Sequence, residues 1–292
     1  MNMKKLLLIL LISLSYIGLS YADFQDGLDA LDKEDYKTAF NEFLPLAEQG
    51  DVDAQNKIGV LYKYGLGVIE DDKKAVKWYT KAANQGYARA QNNLGMMFEN
   101  GEGVLEDGKE AVKWYTKAAN QGYASAQTNL ADYLINEDYF INWVEADMWY
   151  TKAAEQGYLR AQYNFAIMHQ QSHPLQDITV AVKWFTKAAE QGDLDAQINL
   201  GVMYYEGRDW LDSDYQAVSQ DYKEAFKWFT KPAEQDYPLA QYVLGDLYAN
   251  GLGVSKDMIK AKYWIKKAYE NTDEEISNVA KDVWEMFELS KY

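Results

Sequence analysis

AVKWYTKAANQGYA occupies Ala75 to Ala88, and the same fourteen residues return from Ala111 to Ala124, 36 positions later. An active site seldom needs two copies of itself, so the repetition is read before any residue is read for chemistry. Working outward, an Ala-Gln pair marks further copies. Gln55, Gln91, Gln127, Gln162, Gln197 and Gln241 lie 36, 36, 35, 35 and 44 residues apart. A tryptophan column runs with them at Trp78, Trp114, Trp149, Trp184, Trp228 and Trp264. Self-similarity at this period is the mark of a stacked array, in which each unit buries its apolar face against the next.

Within one unit the spacing is helical. Ala75, Trp78, Tyr79, Ala82 and Ala83 fall at i, i+3, i+4, i+7 and i+8, which makes one apolar stripe. Gln85-Gly86 follows, and glycine accepts the left-handed conformation that closes a helix. A second stripe is set by Tyr87, Ala90, Gln91, Leu94, Gly95 and Phe98. Helices of about a dozen residues are marginal alone in water, so neither stripe is stable without a neighbour. Small residues at Ala82, Ala83, Ala90 and Gly95 let two helices approach closely while aromatic rings fill the space beside them.

The A-V-K-W-Y-x-K-A-A-x-Q-G helix, the A-x-A-Q-x-N-L-G-x-M-Y helix and the G-x-G-V turn resemble the Sel-one-like repeat, a unit akin to the tetratricopeptide repeat. The turn stands at Gly65-Leu66-Gly67-Val68, Gly101-Glu102-Gly103-Val104 and Gly251-Leu252-Gly253-Val254. The resemblance covers about Asp35 to Asn271. It implies an all-α, right-handed α-solenoid of stacked helix pairs that binds other proteins or peptides, and it does not imply catalysis in most members. The expected organisation is a cap at 23–34, then repeats near 35–71, 72–107, 108–141, 142–177, 178–220 and 221–257, with a partial copy at 258–271 and a C-terminal capping helix at 272–292. Phe24, Leu28 and Leu31 suit the first cap. Ile276, Val279, Ala280, Val283 and Phe287 make the stripe of the last, with Asp273 to Glu275 placed to favour its start.

The first 22 residues are expected to lie outside the fold. Lys4 and Lys5 precede the unbroken apolar run Leu6 to Ile12, and Ser20-Tyr21-Ala22 supplies the small-x-small pattern cut by a signal peptidase. The expected location is the periplasm or the medium after cleavage near Ala22, with no stable membrane insertion afterwards. Removing the leader takes two lysines and no acid from a chain whose formal charge is already −16. Such a charge repels nucleic acid and favours partners with a basic surface. With no cysteine in the chain, there are no disulfides and no thiolate metal sites.

Exceptions to the pattern are where a particular partner is sought. After the third repeat the G-x-G turn gives way to an apolar stretch from Leu134 to Trp143, carrying Tyr139, Phe140 and Trp143. Either it folds onto the helices beneath or it offers aromatic anchors to a protein partner. An insertion between Glu206 and Gln220 brings in Trp210 and Tyr215, and long loops in compact arrays are often functional. Asn93, Asn129, Asn164 and Asn199 recur two residues after the glutamines. They form either an amide ladder for an extended peptide or ties between successive repeats. Pro232 replaces a helix alanine and Asp236 the closing glycine, so that helix is expected to end or bend early.

Chemistry finds little support. His169 and His173 stand at i, i+4, with Asp177 as a conceivable third metal ligand. Histidines near a helix end equally suit its dipole. No catalytic residue and no cofactor is assigned. The G-x-G turns follow helices and lack the lysine of a phosphate loop. No serine is followed three positions later by lysine, and the cysteines of the secreted family members associated with penicillin hydrolysis are missing. The expected function is non-enzymatic protein binding. Exported members of the family that resemble periplasmic immunity proteins, which neutralise toxic effectors such as lipases, supply the alternative.

Overall fold

A computed structural model describes residues 24–136, 142–171, 174–207, 218–270 and 274–291. These residues form helices joined by turns, with no strand among them. The chain divides into two compact units, Met1–Asn142 and Trp143–Tyr292.

In the first unit, α1 (residues 24–32) leads into α2 (Tyr36–Gln49), α3 (Val52–Lys63), α4 (Asp72–Asn84), α5 (Ala88–Asn100), α6 (Gly108–Asn120) and α7 (Ala124–Leu134). From α2 onward each helix packs on the next. The expected stripe is the buried one: Ala75, Trp78, Tyr79, Ala82 and Ala83 of α4 are all in the core, as are Ala90, Gln91, Leu94 and Gly95 of α5. Close approach is eased by a small residue in the middle of the second helix of each pair, glycine at Gly59 and Gly95 and alanine at Ala131 in this unit. A Cβ on Gly95 would lie 2.6 Å from the Tyr115 ring, and one on Gly59 would lie 2.5 Å from Tyr79. Each ring thus lies close against the backbone of the helix before it. The motif's lysine one turn after the tryptophan is explained as well. Lys81 Nζ sits 3.8 Å from the Trp78 ring centre and Lys117 Nζ 3.6 Å from that of Trp114. A cation over an indole face is stabilising, and its stem covers the ring's open side.

The second unit runs α8 (Trp143–Glu155), α9 (Leu159–Gln170), α10 (Ile178–Glu190), α11 (Leu194–Glu206), α12 (Tyr222–Glu234), α13 (Pro238–Asn250), α14 (Met258–Tyr269) and α15 (Glu274–Met286), then a short turn of 3-10 helix at Leu289–Lys291. Here too consecutive helices pack pairwise. Two expectations are corrected. Helix α12 does not end early, because Pro232 sits in its last turn, buried in the alanine's place, and the helix keeps thirteen residues like its counterparts. The amides of Gln235 and Tyr237 close the end by bonding to the Pro232 carbonyl at 3.0 and 3.1 Å. Asp236 takes the left-handed φ of 62° that glycine holds elsewhere, a conformation Asp tolerates better than most residues. In α15, Val279 is 40% exposed, while Ala280 and Val283 are buried and Trp284 packs against them. The buried arc is centred beyond Val279, which lies at its edge.

Helix starts follow a rule the repeat period hides. Asp35, Asp71, Asp107, Asp177, Asp221 and Asp257 cap α2, α4, α6, α10, α12 and α14, each carboxylate accepting at least one backbone N–H of the first turn. The glycines of the G-x-G turns hold φ near +70°, as expected. A Cβ on Gly103 would lie 2.5 Å from the carbonyl carbon of Asp72. That turn therefore locks onto the start of α4, the helix that α5 pairs with.

Candidate functional site

The glutamine column is a buried seam. Nε2 of Gln55, Gln91, Gln127, Gln162, Gln197 and Gln241 donates to the carbonyl eight residues back, at Ala47, Ala83, Ala119, Ala154, Ala189 and Ala233, over 3.0–3.2 Å. The glutamine of the following Gln-Gly turn then donates to it. Gln85 reaches Gln55 Oε1 at 2.9 Å, Gln121 reaches Gln91 at 2.7 Å, and Gln191 reaches Gln162 at 2.7 Å. The pattern breaks at Gln197 and Gln241, whose buried Oε1 atoms have no partner.

The asparagine column lies on the same helices. Asn93 Nδ2 donates to Asn56 Oδ1 at 3.0 Å, and Asn129 Nδ2 to Asn92 Oδ1 at 2.8 Å, each bond joining successive repeats. Asn199 donates to the Asp195 carbonyl at 2.9 Å and lies against the Tyr163 hydroxyl. Asn164 is half-buried. Among the described residues, then, the column supplies ties between repeats and leaves its carboxamides only partly accessible.

Counting back one period from Asn93 leads to Lys57, two residues after Gln55. The first copy of the column is therefore a lysine, and it lines a cavity of about 290 Å³ bounded by α1, α3, α5 and the residue before α7. Leu31, Val60, Leu61 and Leu66 form the apolar wall. Asn56, Lys57, Arg89 and Asn93 form the polar one, with Tyr123 also in the lining. Lys57 is half-buried and Arg89 exposed. Burial, and after it the repulsion of Arg89, draws the Lys57 ammonium below its ordinary value, against the pull of Asp53 and Asp32. Asp53 itself accepts a hydrogen bond from the Tyr87 hydroxyl. Neither Lys57 nor Arg89 makes an ion pair or hydrogen bond among the described residues. Nearby Lys63 contrasts with them, bridging Asp72 at 3.2 Å and Glu102 at 2.9 Å.

In the second unit, a cavity of about 440 Å³ beside α15 is lined by Lys281, Lys291, Glu285 and Glu288 among others, with Lys291 paired to Glu288. His169 is buried, its Nε2 lying 2.8 Å from Asp147 Oδ1 and its ring 4.7 Å from that of Phe165. Asp177 caps α10, its carboxylate accepting the Thr179 and Val180 amides. Among the described residues no three His, Cys, Asp or Glu side chains group as a metal site would need. His173, Tyr139, Phe140, Trp210 and Tyr215 lie outside the described residues, as does the leader. Trp143 is the first residue of α8 and half-buried. No helix among the described residues is long and apolar enough to cross a membrane.

Sequence reasoning missed Lys57 and Arg89. The signal was present, since Lys57 breaks the asparagine column and Arg89 stands where Asp53 stands in the copy before.

Paired helices with a repeated polar seam define an all-α solenoid, a class that presents extended surface rather than an enclosed reaction centre. The chain belongs to the Sel1 repeat family: six Sel1 repeats match residues 52–87, 88–123, 124–158, 159–193, 194–237 and 238–273. A Sel1 repeat protein from Oxalobacter formigenes is similar at 32% identity and a TM-score of 0.64, over 86% of this chain and 98% of that one. The protein c5321, a protective antigen present in uropathogenic Escherichia coli strains, is similar at 29% identity and 0.57, over 91% of this chain and 64% of that one. The immunity protein Pa5087 from Pseudomonas aeruginosa stands further off, at 17% identity and 0.42 over 82% of each chain. No curated protein matches the chain.

Proposed function

We propose that this protein is a non-enzymatic binder of other proteins that works outside the cytoplasm. The observation that carries the reading is the array itself. Sel1 repeats cover residues 52–273, and the side chains that recur between them, such as the glutamine column, hold the helices together, leaving the rest of the surface for recognition. The fold suggests an interaction scaffold.

Export rests on the leader pattern at residues 1–22, and N-terminal sequencing of protein from periplasmic extract should begin at Asp23. The formal charge of −16 favours fast encounter with a partner whose surface is basic, and disfavours nucleic acid. The test is capture from periplasmic extract, repeated with Phe140→Ala and Trp210→Ala. One stoichiometric partner supports a dedicated binder, and loss of it in either variant places the contact on that loop. A captured secreted toxin would select the immunity reading. Turnover of a substrate by the purified protein would refute a purely binding role.

A further inference from the structure

The cavity between α3 and α5 combines features that a mere packing defect does not need. Its apolar wall adjoins two cations that make no side-chain hydrogen bond or ion pair among the described residues, in a protein with 45 acidic and 29 basic residues. Asn56 is 2% exposed. Its oxygen accepts from Asn93 at 3.0 Å, and no hydrogen bond from its Nδ2 is made among the described residues. An amide donor that lines a cavity is available to an acceptor that enters it.

Lys57, Arg89 and Asn56 therefore offer three donor groups and no carboxylate, since neither Asp32 nor Asp53 lines the cavity. Asp53 is further occupied by the Tyr87 hydroxyl. Charge-assisted hydrogen bonds to a carboxylate are the strongest interaction such a set can make. At about 290 Å³ the space is below the usual size of a small-molecule site, roughly 300–1,000 Å³, and suits one or two residues of a chain. An apolar side chain and a carboxylate on one Cα occur together only at a chain's C-terminal residue. An internal Asp or Glu supplies the anion but leaves the apolar wall unfilled.

We infer that this cavity captures the C-terminus of a partner chain: the free α-carboxylate on Lys57, Arg89 and Asn56, the apolar last side chain against Leu31, Val60 and Leu66. The inference rests on the protein-binding reading and deepens it. A partner that is basic over its bulk and ends in an apolar residue satisfies both the acidic surface and the cationic cavity.

The test uses the purified protein and a library of N-acetylated hexapeptides randomised over the last four positions, made once as free acids and once as C-terminal amides. Free acids ending in Leu, Ile, Val, Phe or Met should be enriched. The amide of an enriched sequence should bind about tenfold or more weakly, as the loss of charge-assisted bonds demands. Lys57→Met and Arg89→Met should each cut the affinity about tenfold with helicity unchanged, Met keeping most of the Lys57 stem. Lys57→Arg should retain most of it, which a packing role for the stem alone would not predict. Equal binding of acid and amide overturns the inference. So does equal capture of amidated peptides with an internal Asp or Glu, which would assign the cavity to acidic side chains. Should a partner be captured from extract while acids and amides bind alike, only the terminus inference falls. Loss of both would remove the binding function with it.

Discussion

Gln91 and Gln197 stand in the same column and donate to the same kind of carbonyl, yet replacing each by methionine should have opposite consequences. Gln91 is 4% exposed and holds two bonds, to the Ala83 carbonyl at 3.0 Å and from Gln121 at 2.7 Å. Gln91→Met removes both. Ala83 retains the Gly86 amide at 3.1 Å and Gln121 retains the Lys117 carbonyl at 3.3 Å, so no new buried group is orphaned. The cost is then about 0.5–1.5 kcal/mol per bond, roughly 1–3 kcal/mol together. Gln197 is 6% exposed and holds one bond, to Ala189 at 3.0 Å, while its Oε1 is buried without a partner. Gln197→Met loses about 1 kcal/mol of bonding but relieves a desolvated oxygen that itself costs about 1–3 kcal/mol. The net lies near zero or is slightly stabilising. Because repeat arrays unfold as sums of neighbouring terms, the local measurement is amide hydrogen exchange. Gln91→Met should lower protection in α5 and α6, and Gln197→Met should leave α10 and α11 unchanged or better protected. Equal losses at the two sites, within about 0.5 kcal/mol, would refute the assignment of the seam's strength to the Gln-to-Gln bond.

The two kinds of glycine separate in the same way. Gly86→Ala meets nothing within 4 Å at φ +91°, and should cost only the left-handed strain, about 1–2 kcal/mol. Gly103→Ala, with φ +69° and a backbone carbon at 2.5 Å, should cost more and shift the chemical denaturation midpoint further. Asp107→Ala removes the acceptor of the Lys109 and Glu110 amides and should lower stability by about 1 kcal/mol, with Asp107→Asn largely retaining it. Burial, and after it the bond to Asp53, pushes the Tyr87 phenol up to about 12 from an ordinary 10.0. The fold thus favours the neutral phenol, and the stability gained is complete below pH 10 and lost as pH rises through 12. Tyr87→Phe should flatten the alkaline part of the unfolding profile, and ultraviolet titration should lose one late tyrosinate. A profile unchanged over that range would refute the assignment.

The parts of the fold legible in the sequence are those whose burial is decided by an adjacent helix. Trp78, Tyr79, Ala82 and Ala83 lie on one stripe because 3.6 residues make a turn, and the 36-residue period says what the stripe meets. The aspartate caps and the glutamine seam were less legible, because a side chain that bonds to backbone has no partner visible as a residue type. Gln91 looks like one more polar letter until the Ala83 carbonyl is placed 3.0 Å from it. Pro232 misled for a related reason. The rule that proline breaks a helix concerns interior positions, and only the observed end at Glu234 places residue 232 in the last turn, where few bonds remain to be lost. The candidate site was hidden by the repeat itself. Asparagines that recur draw the eye, yet Asn93 and Asn129 tie neighbouring repeats together, and recurrence is what a structural tie requires. A recognition group differs from its column mates, as Lys57 differs from Asn93 and Arg89 from Asp53. In an array, then, the informative comparison is each column with itself. A charge standing where the column has an amide, half-buried and making no ion pair or side-chain hydrogen bond among the described residues, marks a position that packing alone does not explain.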